Sequence, residues 1–493
     1  MKGKKLLSGI ISCLLAGSIC AGIANAAPPS ADYTAKRLAI ENSNKNKLGL
    51  LLTDEEKQLD KKLQQLKADV KKQFNGNIPY DMPFLTDERL ENNKLFAFCR
   101  ELPKPADLHI HNETYLPVKE LTDFLLKRKD IAICTAGKEK GVLALISPGE
   151  KLKEGFYPLP SALENKYITR EEIENLLTVK GGAEAEDIWV WFETLFNKTD
   201  ILDHHLPLFI DYAEESFRYY CRNNVMHIEP IMLLIGTKEE AKARVLVLRE
   251  AYYRVRKDYP EFTVRLTAAG LKYPQAAPFN DMFIGNALYV HENVKDDFDK
   301  SNVTDFLTSL DLENEEDKSI PLKEFSGLLL DIRQKYPRLN LTLHAGETLV
   351  AGSDNIIDAY LLGVKRIGHG YNLYRYPELL ELIKKADICL DVCPVSNQTL
   401  RLIKDLRNHP AVEYLKRGVP MTIASDDPSY QEATTLVDDY FAAVVCWDLG
   451  IGELKQLCQN SIKYSSLDPK NKQALQKNWE RRWNEFVRKN LAE

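Results

Sequence analysis

After Pro105 the chain alternates between short β-rich runs and segments of helical periodicity, and this alternation constrains the fold more than any other feature. The runs are Ala106–His111, Val225–Pro230, Thr263–Ala268, Phe306–Leu312, Leu341–His344, Lys365–His369, Ile388–Cys393 and Met421–Ser425. Stretches such as Tyr212–Arg222 and Pro377–Lys385 between them repeat apolar residues at 3.6-residue spacing. Strand–helix alternation calls for parallel strands joined by crossover helices. Eight such units predict a closed (β/α)8 TIM barrel, whose active site forms at the carboxyl ends of the strands. The barrel is expected over 99–493. The gap between the first two runs is longer than one helix needs, which places an insertion at about 117–185.

The residues ahead of the barrel divide in two. Lys2, Lys4 and Lys5 precede an apolar stretch from Leu6 to Ile23, which ends in Ala24-Asn25-Ala26. A basic start, a short apolar core and small residues before a cleavage point predict a signal peptide over 1–26. The expected location is therefore exported, periplasmic or extracellular, with no membrane attachment after cleavage. A membrane anchor is the competing reading, but the stretch is short and interrupted by Gly. Residues 27–98 predict a helical arm. Thr53 and Glu56 have capping-box spacing, and Leu59, Leu63, Leu66 and Val70 follow as one apolar stripe. That stripe must be buried, either on the chain's own barrel or in a subunit interface. The net charge of −6 provides no electrostatic reason for a nucleic-acid partner. Beyond residue 26 there are seven scattered Cys, an odd number that is no disulfide scaffold.

The chemistry gathers at the ends of the predicted strands. His109 and His111 close the first run two residues apart, and alternation across a strand puts both on one side. Taken alone, two His at this spacing are also compatible with packed or surface positions. The fifth run, however, ends His344-Ala345-Gly346-Glu347, the sixth ends Gly368-His369-Gly370, and the eighth ends Ser425-Asp426-Asp427. Adjacent acids at a strand end repel one another unless a cation or donor lies nearby. Three imidazoles and a carboxylate suit a single Zn2+. A catalytic zinc keeps a position for water and lowers its pKa. Glu347 then suits proton transfer to the substrate, His369 orients or deprotonates the water, and Asp427 holds substrate or water. His204-His205 reads as a surface pair. Trp189 and Trp191 read as packing residues of the insertion, or as a wall of the pocket.

In order, His109-Ile-His111, His344-Ala-Gly-Glu347, Arg366-Ile-Gly-His369-Gly370 and Ser425-Asp426-Asp427-Pro428 resemble the motifs of the adenosine deaminase family. The secreted branch, the adenosine deaminase-related growth factors, is the closer match. It is suggested by Trp191-Phe-Glu-Thr-Leu-Phe196, Asp391-Val-Cys-Pro-Val-Ser-Asn-Gln398, Asp405-Leu-Arg-Asn-His-Pro410 and Asn460-Ser-Ile-Lys-Tyr464. The resemblance spans roughly residues 100 to 470. It implies one zinc on His109, His111, His344 and Asp426, with Glu347 protonating the purine ring nitrogen beside the reacting carbon. It further implies that His369 serves the attacking hydroxide and that Asp427 contacts the imidazole-side nitrogen. The implied reaction converts adenosine, and 2′-deoxyadenosine, to inosine and ammonia. A homodimer through the N-terminal arm is implied too.

The chain also departs from the family pattern. Where the family has an Asp shortly after the second metal His, Asn112 and Glu113 follow His111, and Glu113 is the expected sugar contact. The family's Gly after the fourth strand is replaced within Asp311-Leu312-Glu313-Asn314, so Asn314 meets the substrate where a bare backbone would. Trp189 is expected on the ribose side. These departures touch substrate selection rather than the metal. They keep open a related zinc hydrolase acting on another aminopurine or modified nucleoside. A non-catalytic growth-factor-like protein would be expected to have lost metal or acid positions, and here they are all present.

Overall fold

The computed structural model describes residues 30–43, 50–74, 92–275 and 279–492. The predicted signal peptide lies outside the described residues. Eight parallel strands form the frame: β1 (Asp107–His111), β2 (His227–Leu233), β3 (Leu266–Leu271), β4 (Leu307–Glu313), β5 (Asn340–Ala345), β6 (Arg366–His369), β7 (Cys389–Val392) and β8 (Met421–Ile423). They pair in chain order from β1 to β8. The last seam is closed by backbone bonds from His111 N to Asp426 O at 3.1 Å and from Asp426 N to His109 O at 3.0 Å. All eight strands are almost entirely buried, although polar residues such as Asp107, His109, Asp311, Arg366 and Asp391 interrupt their apolar ones.

Every predicted run contains a strand, but some ends move. β2 begins two residues later than expected and continues past Pro230 to Leu233. Pro230, the expected end of the run, sits in register opposite Ile110. In the third unit, Thr263–Val264 is a separate two-residue strand, and β3 proper starts at Leu266. Arg265 lies between them with its guanidinium buried against Asp296 at 2.8 Å.

Between β1 and β2 the chain makes more than helices. A three-stranded antiparallel sheet has Ile131–Cys134 at its centre, flanked by Leu143–Leu145 and Phe156–Pro158. Its strands are three or four residues long, too short to show a period in the sequence. After two short helices comes α1 (Ile188–Thr199), which carries Trp189 and Trp191.

The chain's contacts divide it into a unit up to Asn46 and a unit from Lys47 onward. In the first, helix Ala31–Ser43 has no buried residue and is supported by Lys36–Asp32 and Arg37–Glu41 pairs one turn apart. In the second, helix Asp54–Gln73 starts with the expected box, Thr53 N donating to Glu56 at 2.8 Å and Glu56 N to Thr53 Oγ1 at 3.2 Å. Its stripe of Leu59, Leu63, Leu66 and Val70 is buried. The cover comes from the chain's own helices Ile451–Tyr464 and Pro469–Ala492. Glu56 Oε1 accepts from Trp483 Nε1 at 2.8 Å and Lys455 Nζ at 2.6 Å, and Ile451 N donates to Asp60 at 2.8 Å. Cys99, Cys134, Cys221, Cys389, Cys393, Cys446 and Cys458 are all buried, and none of them is in a disulfide.

Candidate metal centre and active site

Closing the barrel between β8 and β1 brings Asp426 against both imidazoles of β1. Its Oδ1 is 3.3 Å from His109 Nε2 and 3.3 Å from His111 Nε2. The His344 ring from β5 lies 4.4 Å from that of His109 and 5.4 Å from that of His111, centre to centre. One donor atom from each of His109, His111, His344 and Asp426 falls within 4.8 Å of the other three. Nε2 of His109 is buried and has no hydrogen-bond partner. Leaving a buried polar atom unpaired is costly, and a cation at the centre of these four donors would satisfy it. Nitrogen and oxygen donors on three imidazoles and one carboxylate suit a divalent transition ion. Cys393 Sγ lies at the edge of the same cluster, within 4.8 Å of donor atoms of His109, His369 and Asp426.

Carboxylates behind the rings orient them. His344 Nδ1 donates to Asp311 Oδ2 at 2.8 Å, and Asp311 Oδ1 accepts from His344 N at 2.9 Å. His111 Nδ1 lies 3.2 Å from Glu313 Oε2. Both arrangements turn the opposite nitrogen toward the centre, as metal-binding imidazoles require. Asp311 and Glu313 are two apart on β4, so they share one face in the way His109 and His111 do. That spacing was legible, but without the barrel it pointed to no partner.

The backbone pays for this convergence. Asp426 and His369 adopt φ of 60° and 63°, a region costly for non-glycine residues. Gly346 has φ of 82°, and a Cβ there would sit 2.5 Å from Asn372 Oδ1. A Cβ on Gly368 would come 2.7 Å from His109 Cε1, so this glycine is what lets the His109 ring lie against β6.

These groups open onto a cavity of about 290 Å³. An adenosine deaminase family model matches residues 300–481. The chain is 30% identical over 455 residues to an adenosine deaminase of Phlebotomus duboscqi, covering 87% of this chain and 85% of that protein. The chain belongs to the adenosine deaminase family. It is accordingly an aminohydrolase. Adenosine deaminase 2-A of Danio rerio is 28% identical over 480 residues, covering 92% of this chain and 93% of its own length. A Burkholderia ambifaria amidohydrolase solved with bound Zn shares the fold, with a TM-score of 0.56 at 18% identity, over 81% of this chain and 95% of that one.

In this deaminase, Glu347, His369 and Asp427 all face the cavity. Glu347 is 6% exposed, and its Oε1 lacks a hydrogen-bond partner. Burial, with Asp426, Glu316 and Asp427 nearby, pushes its carboxyl well above the usual range. Burial and Asp426 push Asp427 up to about 7. Burial holds His369 well below an ordinary imidazole, although Asp426 opposes it. His369 Nδ1 is 3.6 Å from Glu347 Oε1 and 3.3 Å from the Asn397 amide nitrogen.

Glu113, Asn314 and Trp189 also line the cavity. Asn314 keeps a glycine-like φ of 107°, and its Oδ1 accepts from Lys272 N at 3.1 Å. The side chain is thus folded back onto the backbone. Trp191 instead packs over Gly181 and Gly182, donates to Thr178 O at 2.9 Å and stacks under Lys198. His204, read as a surface residue, lies at the cavity rim, 2.6 Å from Asp200. Sequence reasoning also missed Glu193, bound by Tyr273 Oη at 2.8 Å, and the buried Asp203–Arg244 pair. The pair joins residues 41 positions apart, a separation that leaves no local pattern.

Proposed function

We propose that the chain is an exported, zinc-dependent adenosine deaminase that converts adenosine to inosine and ammonia. The quartet His109, His111, His344 and Asp426 beside a buried, proton-holding Glu347 carries this reading. The four residues would hold zinc, which supplies Lewis acidity and lowers the pKa of a water molecule. Glu347, kept protonated by burial and by neighbouring carboxylates, gives its proton to the purine ring nitrogen beside the carbon that bears the amino group. Asp427, with its raised carboxyl, is suited to donate to the imidazole-side nitrogen, which is an acceptor. His369 holds the attacking oxygen. Trp189 walls the sugar side and Glu113 accepts from a sugar hydroxyl.

The charge of the cavity favours a nucleoside over a nucleotide. Glu113, Glu193, Asp200, Asp203 and Glu313 line it, and Arg244, the one Lys or Arg among the described lining residues, is tied to Asp203. A phosphate would meet carboxylates without a free cation. The folded-back Asn314 supports a second reading, another aminopurine nucleoside as the preferred substrate. Export rests on the signal-like residues 1–26. The arm is the proposed dimer contact, and helix Ala31–Ser43 exposes Tyr33, Leu38 and Ile40.

The deciding assay follows adenosine absorbance with purified zinc-loaded protein beside Glu347→Gln. Conversion to inosine by the parent, lowered about 10²–10⁴-fold in the variant, is expected. A zinc-loaded parent that leaves adenosine untouched would sink the adenosine assignment and direct a panel of other aminopurine nucleosides.

A further inference from the structure

Two sequence stretches, Val395-Ser-Asn-Gln398 and Asp405-Leu-Arg-Asn-His-Pro410, have no part in the metal quartet or the cavity lining. The fold brings Asn397 of the first and His409 of the second to the back of His369. Asn397 sits on helix Pro394–Thr399 after β7, and His409 follows the turn Leu406–Asn408. His409, Asn397 and His369 are 2%, 0% and 1% exposed, so water does not reorganise their hydrogen bonds.

The hydrogen bonds run in one direction, and a backbone amide sets it. Ala411 N can only donate, and it donates to His409 Nδ1 at 3.1 Å. Nδ1 of His409 is therefore the bare nitrogen, and Nε2 carries the hydrogen. Burial, which pushes His409 down to about 3, keeps the ring neutral. His409 Nε2 donates to Asn397 Oδ1 at 3.1 Å. With its oxygen so engaged, Asn397 presents its amide nitrogen to His369 Nδ1 at 3.3 Å. Tyr371 and Trp447 hold the His409 ring, with centroids at 5.3 Å and 5.1 Å, so the first link cannot turn over without disturbing the core.

We infer that His409 and Asn397 are positioning residues that fix His369 as the tautomer with a bare Nδ1 and a hydrogen on Nε2. The inference rests on the deaminase reading for its consequence, not for its geometry. The groups facing His369 from other elements are Glu347, Asp426, Cys393, His109, His111 and His344. Glu347 Oε1, at 3.6 Å from Nδ1, is farther than the Asn397 amide and has no hydrogen bond to the ring. A His369 held this way has its basic nitrogen occupied by an amide donor and offers an N–H at the other. It orients the attacking oxygen by donating to it and does not take its proton. The relay assigns His369 the orienting one of its two expected roles, and it gives a task to both stretches. The same logic makes a wrong tautomer costly in other hydrolases that depend on an oriented imidazole.

Asn397→Asp tests the relay at nearly constant shape. The aspartate still accepts from His409, but it offers His369 an acceptor in place of a donor. Nitrogen NMR of the zinc-loaded full chain, labelled at histidine, reads the tautomer directly, with the His369 signals identified by their loss in His369→Gln. The unaltered protein should show the Nε2–H form, and Asn397→Asp the Nδ1–H form. For adenosine, kcat in Asn397→Asp should fall about a hundredfold or more with little change in KM. His409→Gln, whose amide can still donate to Asn397, should retain far more of kcat than His409→Leu. An Nδ1–H form in the unaltered protein, the same tautomer in both proteins, or an unchanged kcat in Asn397→Asp would each overturn the relay. Absence of adenosine turnover by the unaltered protein would instead strike the functional reading, and the NMR signature would still decide the relay.

Discussion

At the residue scale, the site depends on what a few positions lack as much as on what they hold. His109 has its place because Gly368 has no side chain. Gly368→Ala would drive a methyl to 2.7 Å from the imidazole, so the ring or β6 must shift. The expected result is a folded protein with strongly reduced zinc content after dialysis, measured by atomic emission alongside circular dichroism. A zinc content equal to the parent's would show that the ring does not need that space. The candidate donor residues themselves were legible, because each imidazole or acid stood at the end of a β-rich run. The orienting groups Asp311, Glu313 and Asn397 were not. Their neighbours in sequence say nothing about which ring they will meet.

At the element scale, the strands are held by more than backbone pairing. Arg366 of β6 reaches through the barrel interior, 2.8 Å from Glu229 of β2 and 2.8 Å from Asp391 of β7, and donates to Leu108 O and Tyr464 O at 3.0 Å each. Its guanidinium thus ties β6 to its neighbour β7 and also to β1 and β2, which do not pair with it. Breaking a buried pair by removing one partner strands the remaining charge. Arg366→Met should cost about 3–5 kcal/mol in urea unfolding, and a loss below 1 kcal/mol would deny the bolt. The same network has a pH signature. Burial alone would raise Glu229, but Arg366 and the bond from His227 bring it down to about 2. Its folded value lies below the unfolded one, so its stabilisation is present above about pH 4.5 and is lost as pH falls toward 2. Glu229→Gln should flatten acid unfolding across that window. The eight barrel strands were readable because short β-rich runs alternate with segments of helical periodicity. The three-stranded sheet of the insertion was not, since strands of three or four residues carry no period.

At the scale of the whole molecule, the helix Asp54–Gln73 is part of the same core as the barrel's last helices. Leu63 is fully buried there. Leu63→Ala should cost about 2–5 kcal/mol through lost burial and a residual cavity. Because the cover comes from the same chain, that loss should be independent of protein concentration. A cost that appears only at high concentration would indicate that a second copy provides the contact.

The sequence by itself determined the architecture, the insertion after the first strand, and the identity of the groups at the strand ends. Those features are written in local period and spacing, which follow from the geometry of one strand or one helix. Tertiary structure alone decided which imidazole meets which carboxylate, that the helix stripe is buried on its own chain, and which way the hydrogen bonds run behind His369. Those depend on closing one barrel seam at Asp426 and on stacking elements hundreds of residues apart, and no local pattern encodes a distance of that kind.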